Sequence, residues 1–300
     1  MFGSKSAWII ARGDNTHIVS DFDKKVIEAA NECQVVLIPA NTGMVESGKD
    51  FGSENSPLMK KKLVAMICGE NTTAGSVGEI WYFFEKELNY PLSLLYFSGA
   101  GKVDLKNYDV LILASGDYSK LKDTIIDFVK RGGKVIAMEN SISIFSGEKS
   151  TSLAKAIETR TAEQKLAEKK IKSDDTTLLK KFEIENERRY TLSERSAGNI
   201  YKVKLDDTNP LVFGMGKEWF VMKRSAGYPF LTTGRNVGYI IDKEPVAGFA
   251  GFKYKDKIKN TIVIGSEKIG AGEVIYITDD PYFRAFWKSG RVLLGNAVFR

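Results

Sequence analysis

The chain has 300 residues, of which 43% are hydrophobic and 27% charged, so it is long enough to bury one large core or two modest ones. Its formal net charge is +6, but the basic residues are scattered and form no arginine-rich or aromatic-interleaved patch, which argues against nucleic acid as a partner. No apolar run approaches the ~20 residues that a membrane-spanning helix needs.

The first sixty residues are predicted to form a short unit of their own. The hydrophobic pattern indicates a strand at Ala7–Ala11, a helix at Ser20–Asn31 and a strand at Val35–Pro39. A connector rich in Gly, Ser and Asn follows. We therefore divide the chain into a strand-helix-strand unit with its connector at 1–60 and a larger α/β domain at 61–300.

In the larger domain, short apolar segments alternate with helical patterns, which predicts a parallel sheet. Ser76 and Glu79 have the spacing of a capping box at the start of one helix, which the Tyr90-Pro91 pair ends. A second helix is predicted over Leu121–Lys130 and closes at a glycine pair. The predicted strands of this part are Leu63–Cys68, Leu92–Phe97, Asp109–Ala114 and Lys134–Met138.

The second half of the domain changes character twice. Residues 147–195 carry dense charge and few large apolar side chains, which indicates an exposed charged helical insertion. Beyond it the apolar period drops toward two, as in antiparallel strands, and a helix over Tyr282–Phe299 is expected to pack on the sheet. The expected strands are Asn199–Leu205, Trp219–Met222, Val237–Ile241, Val246–Phe252, Thr261–Ser266 and Glu273–Thr278.

The fold class predicted from these elements is a three-layer α/β sandwich, with a mostly parallel sheet and extra antiparallel strands. Two aromatic groups occur along it, Trp81–Phe84 and the later Phe283, Phe286 and Trp287. At helical spacing such rings are expected in the core more often than on a binding surface.

Polar turns follow four of the predicted parallel strands, at the sheet edge where ligand sites of doubly wound folds lie. Their carboxylates could bind a divalent cation or act as an acid and a base. The alternative is that they only cap helices and turns, as Asp, Glu and Ser often do. The candidate ligand-binding residues are Glu70, Asn71, Ser76, Ser115, Gly116, Asp117, Glu139, Asn140, Asp279 and Asp280.

The sequence gives little support for catalysis. His17 is the single histidine, whereas a catalytic zinc needs at least one histidine and a Ser-His-Asp or Cys-His triad needs one near its nucleophile. Neither Cys33 nor Cys68 lies in a GxCxG-type elbow, and both are expected to be buried free thiols. We therefore assign no catalytic residue, no metal ligand and no cofactor to this chain.

Four segments carry a family resemblance: VAMICGENTTAGSVGEIWYFFEKELNYP, NYDVLILASGDYS, FVKRGGKVIAMENSISIF and GEVIYITDDPYFRAFWKSGRVLLGNAVF. With DFGS at Asp50–Ser53 and LDDTNPLVFGMG at Leu205–Gly216, they resemble the C-terminal region of large zinc carboxypeptidases from Bacteroidetes-type bacteria, over roughly Asp50 to Arg300. The resemblance implies a flavodoxin-like sheet of the class I glutamine amidotransferase type. It also implies a separate peptidase domain, which would hold the zinc.

The same resemblance shows where this chain departs from a working amidotransferase. Such enzymes carry a nucleophilic cysteine in the elbow after a central strand, and Glu139 stands at the matching position here. Their histidine and glutamate follow a later strand, where this sequence has Thr278, Asp279 and Asp280. The resemblance thus predicts the fold without the glutaminase activity.

We expect from this a non-catalytic accessory domain, with structural, regulatory or ligand-holding work, whose partner is a peptidase domain or a second copy of itself. Two alternatives stay open: a small-molecule or metal-binding domain or hydrolase that uses the strand-end carboxylates, and a piece of a longer protein whose carboxypeptidase activity lies elsewhere. Localisation follows the same division: periplasmic or secreted within a longer precursor, cytoplasmic for a complete chain.

Overall fold

The structure is a computed structural model that describes residues 9–48, 50–51, 61–171, 191–225 and 227–300. The chain separates into two compact units, Met1–Lys60 and Lys61–Arg300. No helix in the described ranges combines the length and apolar character needed to cross a membrane.

The first unit contains two helices, α1 (Arg12–Thr16) and α2 (Phe22–Glu32). Helix α2 lies where the sequence predicted a helix, but Val35–Pro39 is not a strand. Within the described part of this unit no second strand supplies the hydrogen bonds that a strand there would need. The prediction of a strand-helix-strand unit was therefore wrong for that strand, and part of the first predicted strand lies outside the described residues.

The second unit is built around a ten-stranded mixed sheet with helices between its strands. A π-helical turn at Phe83–Leu88 continues the helix Ala74–Tyr82. The strands are β1 Val64–Cys68, β2 Ser93–Tyr96, β3 Val110–Leu113, β4 Lys134–Met138, β5 Asn199–Leu205, β6 Glu218–Lys223, β7 Tyr228–Pro229, β8 Arg235–Ile240, β9 Thr261–Ile269 and β10 Gly272–Ile277. The helices are α3 Ala74–Tyr82, α4 Phe97–Ala100, α5 Lys122–Lys130, α6 Ser143–Ser146, α7 Ser152–Ile171, α8 Phe252–Ile258 and α9 Gly290–Phe299.

The strand order is β2-β1-β3-β4-β10-β9-β8-β5-β6, and β7 pairs with β9. Strands β2, β1, β3, β4 and β10 are parallel neighbours, whereas every pair from β10 onward to β6 is antiparallel. The central parallel strands are buried on both faces because helices cover both. The predicted class, an α/β sandwich with a flavodoxin-like parallel part and added antiparallel strands, is confirmed.

Alternate residues of each parallel strand face two separate cores, which gives the three layers. Met66, Ile112 and Ile136 pack with residues of α3 and α9 on one face. Ile67 and Leu113 pack with residues of α5, α6 and α7 on the other. The strand period of two thus places the helices of each layer.

Three predictions for this unit were wrong. Val246–Phe252 forms no strand and makes only isolated bridges, to Ser196 and Ile200, before α8 begins at Phe252. The segment predicted as an exposed helical insertion at 147–195 contains the helix α7, but it is not exposed throughout: Thr151–Ala154 is buried, because Leu153 packs in the core with Phe145. Residues 172–190 of that segment lie outside the described residues.

The third error concerns the two aromatic groups, because neighbouring aromatic side chains differ in their exposure to solvent. Phe83 and Phe84 are buried as predicted, but Trp81 and Tyr82 are about half exposed. Phe286, which was assigned to the last helix, lies in the irregular turn before α9 and is 60% exposed. A helix that packs on a sheet by one stripe leaves its other face in solvent, whatever residue type stands there.

Candidate functional site

The carboxyl ends of β4 and β10 lie side by side at one edge of the sheet. Met138 pairs with Ile277 in the parallel register, so the residues that follow each strand leave the sheet next to each other. Glu139 follows β4, and Thr278, Asp279 and Asp280 follow β10. This is the edge at which doubly wound sheets bind their ligands.

Glu139 occupies a strained turn between β4 and the 3-10 helix Glu139–Ile142. Its φ of 49° is left-handed, a region that side chains other than Gly, Asn and Asp rarely adopt. The turn is held by Ser141, whose hydroxyl accepts from the Met138 N–H at 2.8 Å and donates to the Leu113 carbonyl at 3.1 Å. Such a strained strand-to-helix turn is the geometry that aims a functional side chain outward from a sheet.

Four carboxyl groups meet at this edge, and we call them the elbow site: Glu79, Glu139, Asp279 and Asp280. Glu79 comes from α3, and its side chain lies close enough to Asp280 for that carboxyl to raise its pKa. The Arg284 N–H donates to Glu79 at 2.7 Å. Burial and the neighbouring Asp280 raise the pKa of Glu79 to about 8, so it is mostly protonated at neutral pH.

The groups around Glu139 shift its pKa in opposite directions. Burial and the charge of Asp280 raise its pKa, while Arg224 counteracts them. The Arg224 guanidinium lies 3.4 Å from the Glu139 carboxylate and 4.0 Å from that of Asp280. The neighbouring Ser115 hydroxyl also acts to lower the pKa of Glu139. Because the Arg224 side chain is about half exposed and both ion-pair distances are long, it neutralises the site only in part.

Asp279 is held differently from its three neighbours. Its carboxylate lies 2.5 Å from the Lys223 ammonium, and both side chains are buried. The Thr278 hydroxyl donates to the same oxygen at 2.7 Å. This pair contributes no net charge, so the ionisable groups left at the elbow site are Glu79, Glu139 and Asp280 against Arg224.

An aromatic group borders the elbow site on the β10 side. The guanidinium groups of Arg224 and Arg284 each lie 5.2 Å from the centre of the Phe283 ring, within the range of cation–π attraction. Arg284 and Ala285 both have positive φ. Arg224 thus joins the carboxyl groups to an aromatic surface, and the turn that carries this surface is strained.

The structure brings Glu139, Asp279 and Asp280 together but leaves the other two predicted carboxylates apart. Glu70 is exposed, and the exposed Asp117 accepts from the Ser119 N–H as a turn cap. Neither contributes to the pKa shifts of Glu79 and Glu139.

The remaining predicted site residues lie in or beside the turns at this edge of the sheet. Ser76 does not cap α3, which begins after Thr73 without a side-chain cap; its buried hydroxyl accepts from the Ser115 N–H at 3.1 Å. A Cβ on Gly116 would lie 2.5 Å from the Asn71 carbonyl oxygen, so only glycine fits there. Asn71 has positive φ, and Asn140 is exposed.

Sequence reasoning missed three residues of the site: Glu79, Lys223 and Arg224. Glu79 was interpreted as a helix cap, although nothing in the cap pattern distinguishes it from a residue that faces the sheet edge. Lys223 had a usable signal, because it stands in the inward register of β6 with Trp219 and Val221. A lysine at such a position predicts a buried acidic partner.

The elbow site can share protons and hold hydrogen-bond donors or cations. Among the described residues no group of three or more His, Cys, Asp or Glu side chains has the arrangement to hold a metal ion. Two neighbouring carboxyls with displaced pKa values are also the arrangement of an acid and its base. Both uses need a partner that brings positive charge or a transferable proton.

No protein-family model and no curated protein matches this chain. Solved structures do match: a ThuA-like protein from Parabacteroides merdae has 11% identity and a TM-score of 0.46, with coverage of 80% of this chain and 89% of that one. A glutamine amidotransferase from Thermotoga maritima has 11% identity and a TM-score of 0.42, with coverage of 80% and 99%. For a β-galactosidase from Bacillus circulans sp. alkalophilus the values are 14%, 0.39, 79% and 30%.

These likenesses lie at the level of the α/β architecture. The assignment of the fold class rests on the strand order and directions given above. The functional argument rests on the residues of the elbow site.

Proposed function

We propose that this chain is a non-catalytic, amidotransferase-like accessory domain that holds a ligand with a positively charged amino group at the elbow site. The observation that carries the proposal is Glu139: a carboxylate in the strained turn where the resembled enzymes carry their nucleophile. A carboxylate there cannot act as a thiol, but it can bind a cation.

The charges of the elbow site favour a cationic ligand. At neutral pH Glu79 is mostly protonated, and Asp279 is neutralised by Lys223. Glu139 and Asp280 then face the single, half-exposed guanidinium of Arg224. One further positive group would neutralise the remaining negative charge of these two carboxylates. Its hydrogen bonds to them would be charge-assisted and therefore stronger than hydrogen bonds between neutral groups.

The accessory role follows from the resemblance to zinc carboxypeptidases. In that arrangement a separate peptidase domain would hold the zinc and carry the peptidase activity, and this domain would bind beside it. Residues 61–300 contain no histidine, so the ligand set of a catalytic zinc cannot come from this unit. The proposed partner is the peptidase domain, and a ligand with an amino group is consistent with peptides as the shared substrate class.

A second candidate is a hydrolase in its own right, and the neighbouring carboxyl groups of Glu79 and Asp280 favour it. A carboxyl whose pKa lies about 8 can donate a proton at neutral pH, and a neighbouring carboxylate can accept one. This candidate predicts turnover that disappears in Glu79→Gln. The accessory-domain proposal predicts binding without turnover.

The test is a thermal-shift titration with amino acids, glutamine, short peptides and divalent cations. A ligand at one hundred times its Kd stabilises the folded state by about 2.7 kcal/mol. We expect amino-bearing ligands to raise Tm in the unchanged chain and to lose that effect in Glu139→Gln, which keeps the shape and removes the charge.

The matched control is Glu70→Gln, an exposed carboxylate at the same sheet edge but outside the elbow site. It should keep the full shift. Ligand shifts of equal size in Glu139→Gln and Glu70→Gln would refute binding at the elbow site, and product formation from any probe would favour the hydrolase.

A further inference from the structure

A pair of adjoining cavities lies away from the elbow site, between α7, β7, β8 and the end of α8. The larger has a volume of about 480 Å³, and its lining includes Arg160 and Lys259. The smaller has about 340 Å³, and its lining includes Tyr239 and Ile241. Phe230 and Asn260 line both, so one aromatic side chain is shared by a cavity with charged side chains and a more apolar one.

Arg160 is a cation without a counter-ion in the described part of the chain. Its guanidinium donates to the Lys257 carbonyl, and no carboxylate of the described residues forms an ion pair with it. Burial alone lowers its pKa. A half-buried charge whose hydrogen bond goes to a neutral carbonyl is only partly compensated for its loss of water, and an anion bound beside it would supply the missing opposite charge.

The acidic residues of the larger cavity do not supply this anion. Asp256 pairs with Lys243 at 4.0 Å. Glu163 is exposed on α7 and does not contribute to the pKa of Arg160. Lys259, which also lines this cavity, is a second, exposed cation. The lining therefore holds two basic and two acidic side chains, and neither acidic side chain forms an ion pair with Arg160.

The smaller cavity offers an apolar surface next to the larger cavity that Arg160 lines. Phe230 packs edge-to-face against Tyr239 with ring centres 5.6 Å apart, and Phe230 is 37% exposed. Edge-to-face packing fixes a ring while leaving one of its faces free for stacking. The exposed part of Ile241 extends the same surface.

We propose that these cavities form a second binding site, for a small amphipathic organic anion whose acidic head pairs with Arg160 and whose apolar body stacks on Phe230. The head is a carboxylate or a phosphate, because a guanidinium binds either through parallel hydrogen bonds. This site is independent of the elbow site, which favours cations.

Isothermal titration with four probes tests the proposal. Benzoate and phenyl phosphate carry both an anion and a ring, acetate carries the anion alone, and benzyl alcohol carries the ring alone. We expect the two aromatic anions to bind at least tenfold more tightly than either half-probe. The stronger of the two identifies the head group.

Arg160→Gln should weaken benzoate and phenyl phosphate binding by about tenfold to a hundredfold, while Lys155→Gln, an exposed charge on the same helix but outside the cavities, should leave it unchanged. Phe230→Leu, which keeps an apolar side chain, should weaken aromatic anions more than acetate. Equal binding in Arg160→Gln and Lys155→Gln, or no preference for aromatic anions over acetate, would overturn the proposal. Circular dichroism of each variant confirms the fold before titration.

Discussion

Carboxylates are buried at two places on the sheet of the second unit, the elbow site and the start of α7. At the start of α7, Glu267 is buried and accepts hydrogen bonds from the Tyr276 hydroxyl at 2.7 Å and from the Ser152 N–H at 2.6 Å. A weaker bond from Leu153 completes the set. We call this group, Glu267 with Ser152, Leu153 and Tyr276, the α7 anchor.

The elbow site has the opposite character. Glu79, Glu139 and Asp280 face one another, and the one cation that reaches two of them is half exposed. The α7 anchor supplies its carboxylate with donors from a helix N-terminus, where negative charge is favoured. A buried carboxylate that accepts hydrogen bonds from well-placed donors stabilises a fold. Neighbouring carboxylates that repel one another lower its stability, and such clusters are typical of functional sites. The predictions below test this contrast.

The largest effect is expected at the one satisfied pair of the elbow site. Lys223→Met should lower the free energy of unfolding by about 3–5 kcal/mol, because it leaves the Asp279 charge buried without its partner. Urea unfolding measures the loss. The double variant Lys223→Met with Asp279→Asn should recover more than half of it. If the double variant is as unstable as the single one, charge burial is not the cause.

The α7 anchor should show the next largest effect. Glu267→Ala should cost about 2–3 kcal/mol, since the Tyr276 hydroxyl and the Ser152 N–H lose their acceptor in a buried place. Glu267→Gln should cost less because its amide oxygen still accepts. Native-state hydrogen exchange should show faster exchange in the first turns of α7 in Glu267→Ala. Protection of those turns equal to that of the unchanged chain would contradict an anchoring role.

The parallel half of the sheet was predictable because its strands are short, mostly apolar and bounded by turns. Leu63–Cys68 became β1 and Lys134–Met138 became β4 without a change of more than one residue. The rule that ligands sit at strand carboxyl ends then located Glu139 and Asp280. Val35–Pro39 failed because apolar composition alone does not supply a pairing strand.

The rest of the elbow site depends on contacts that local sequence does not encode. Lys223 and Asp279 are 56 positions apart in the sequence. The strands between them include those at which the sheet changes from parallel to antiparallel pairing. Glu79 was interpreted as part of a capping box, but α3 begins without a side-chain cap in the structure. Long-range pairing of polar residues, rather than periodicity, decides which side chains of a sheet edge meet.

The last of the three effects is a pH dependence that arises from Glu79, and solvent screening reduces it because this side chain is only half buried. Its pKa rises from 4.5 to about 8 on folding, so the folded chain binds more protons than the unfolded chain between these values. The sign follows from linkage: the free energy of unfolding falls as pH rises from 5 to 8, by up to about 1.4 kcal/mol per pH unit for one proton.

Glu79→Gln removes the titrating group and should flatten this slope, so that the variant gains stability relative to the unchanged chain as pH rises from 5 to 8. Urea unfolding at pH 5, 6, 7 and 8 measures the difference. Glu70→Gln is the control. Parallel pH profiles for Glu79→Gln and the unchanged chain would mean that the elbow carboxyls are as well satisfied as Glu267, and the contrast between the two regions would disappear.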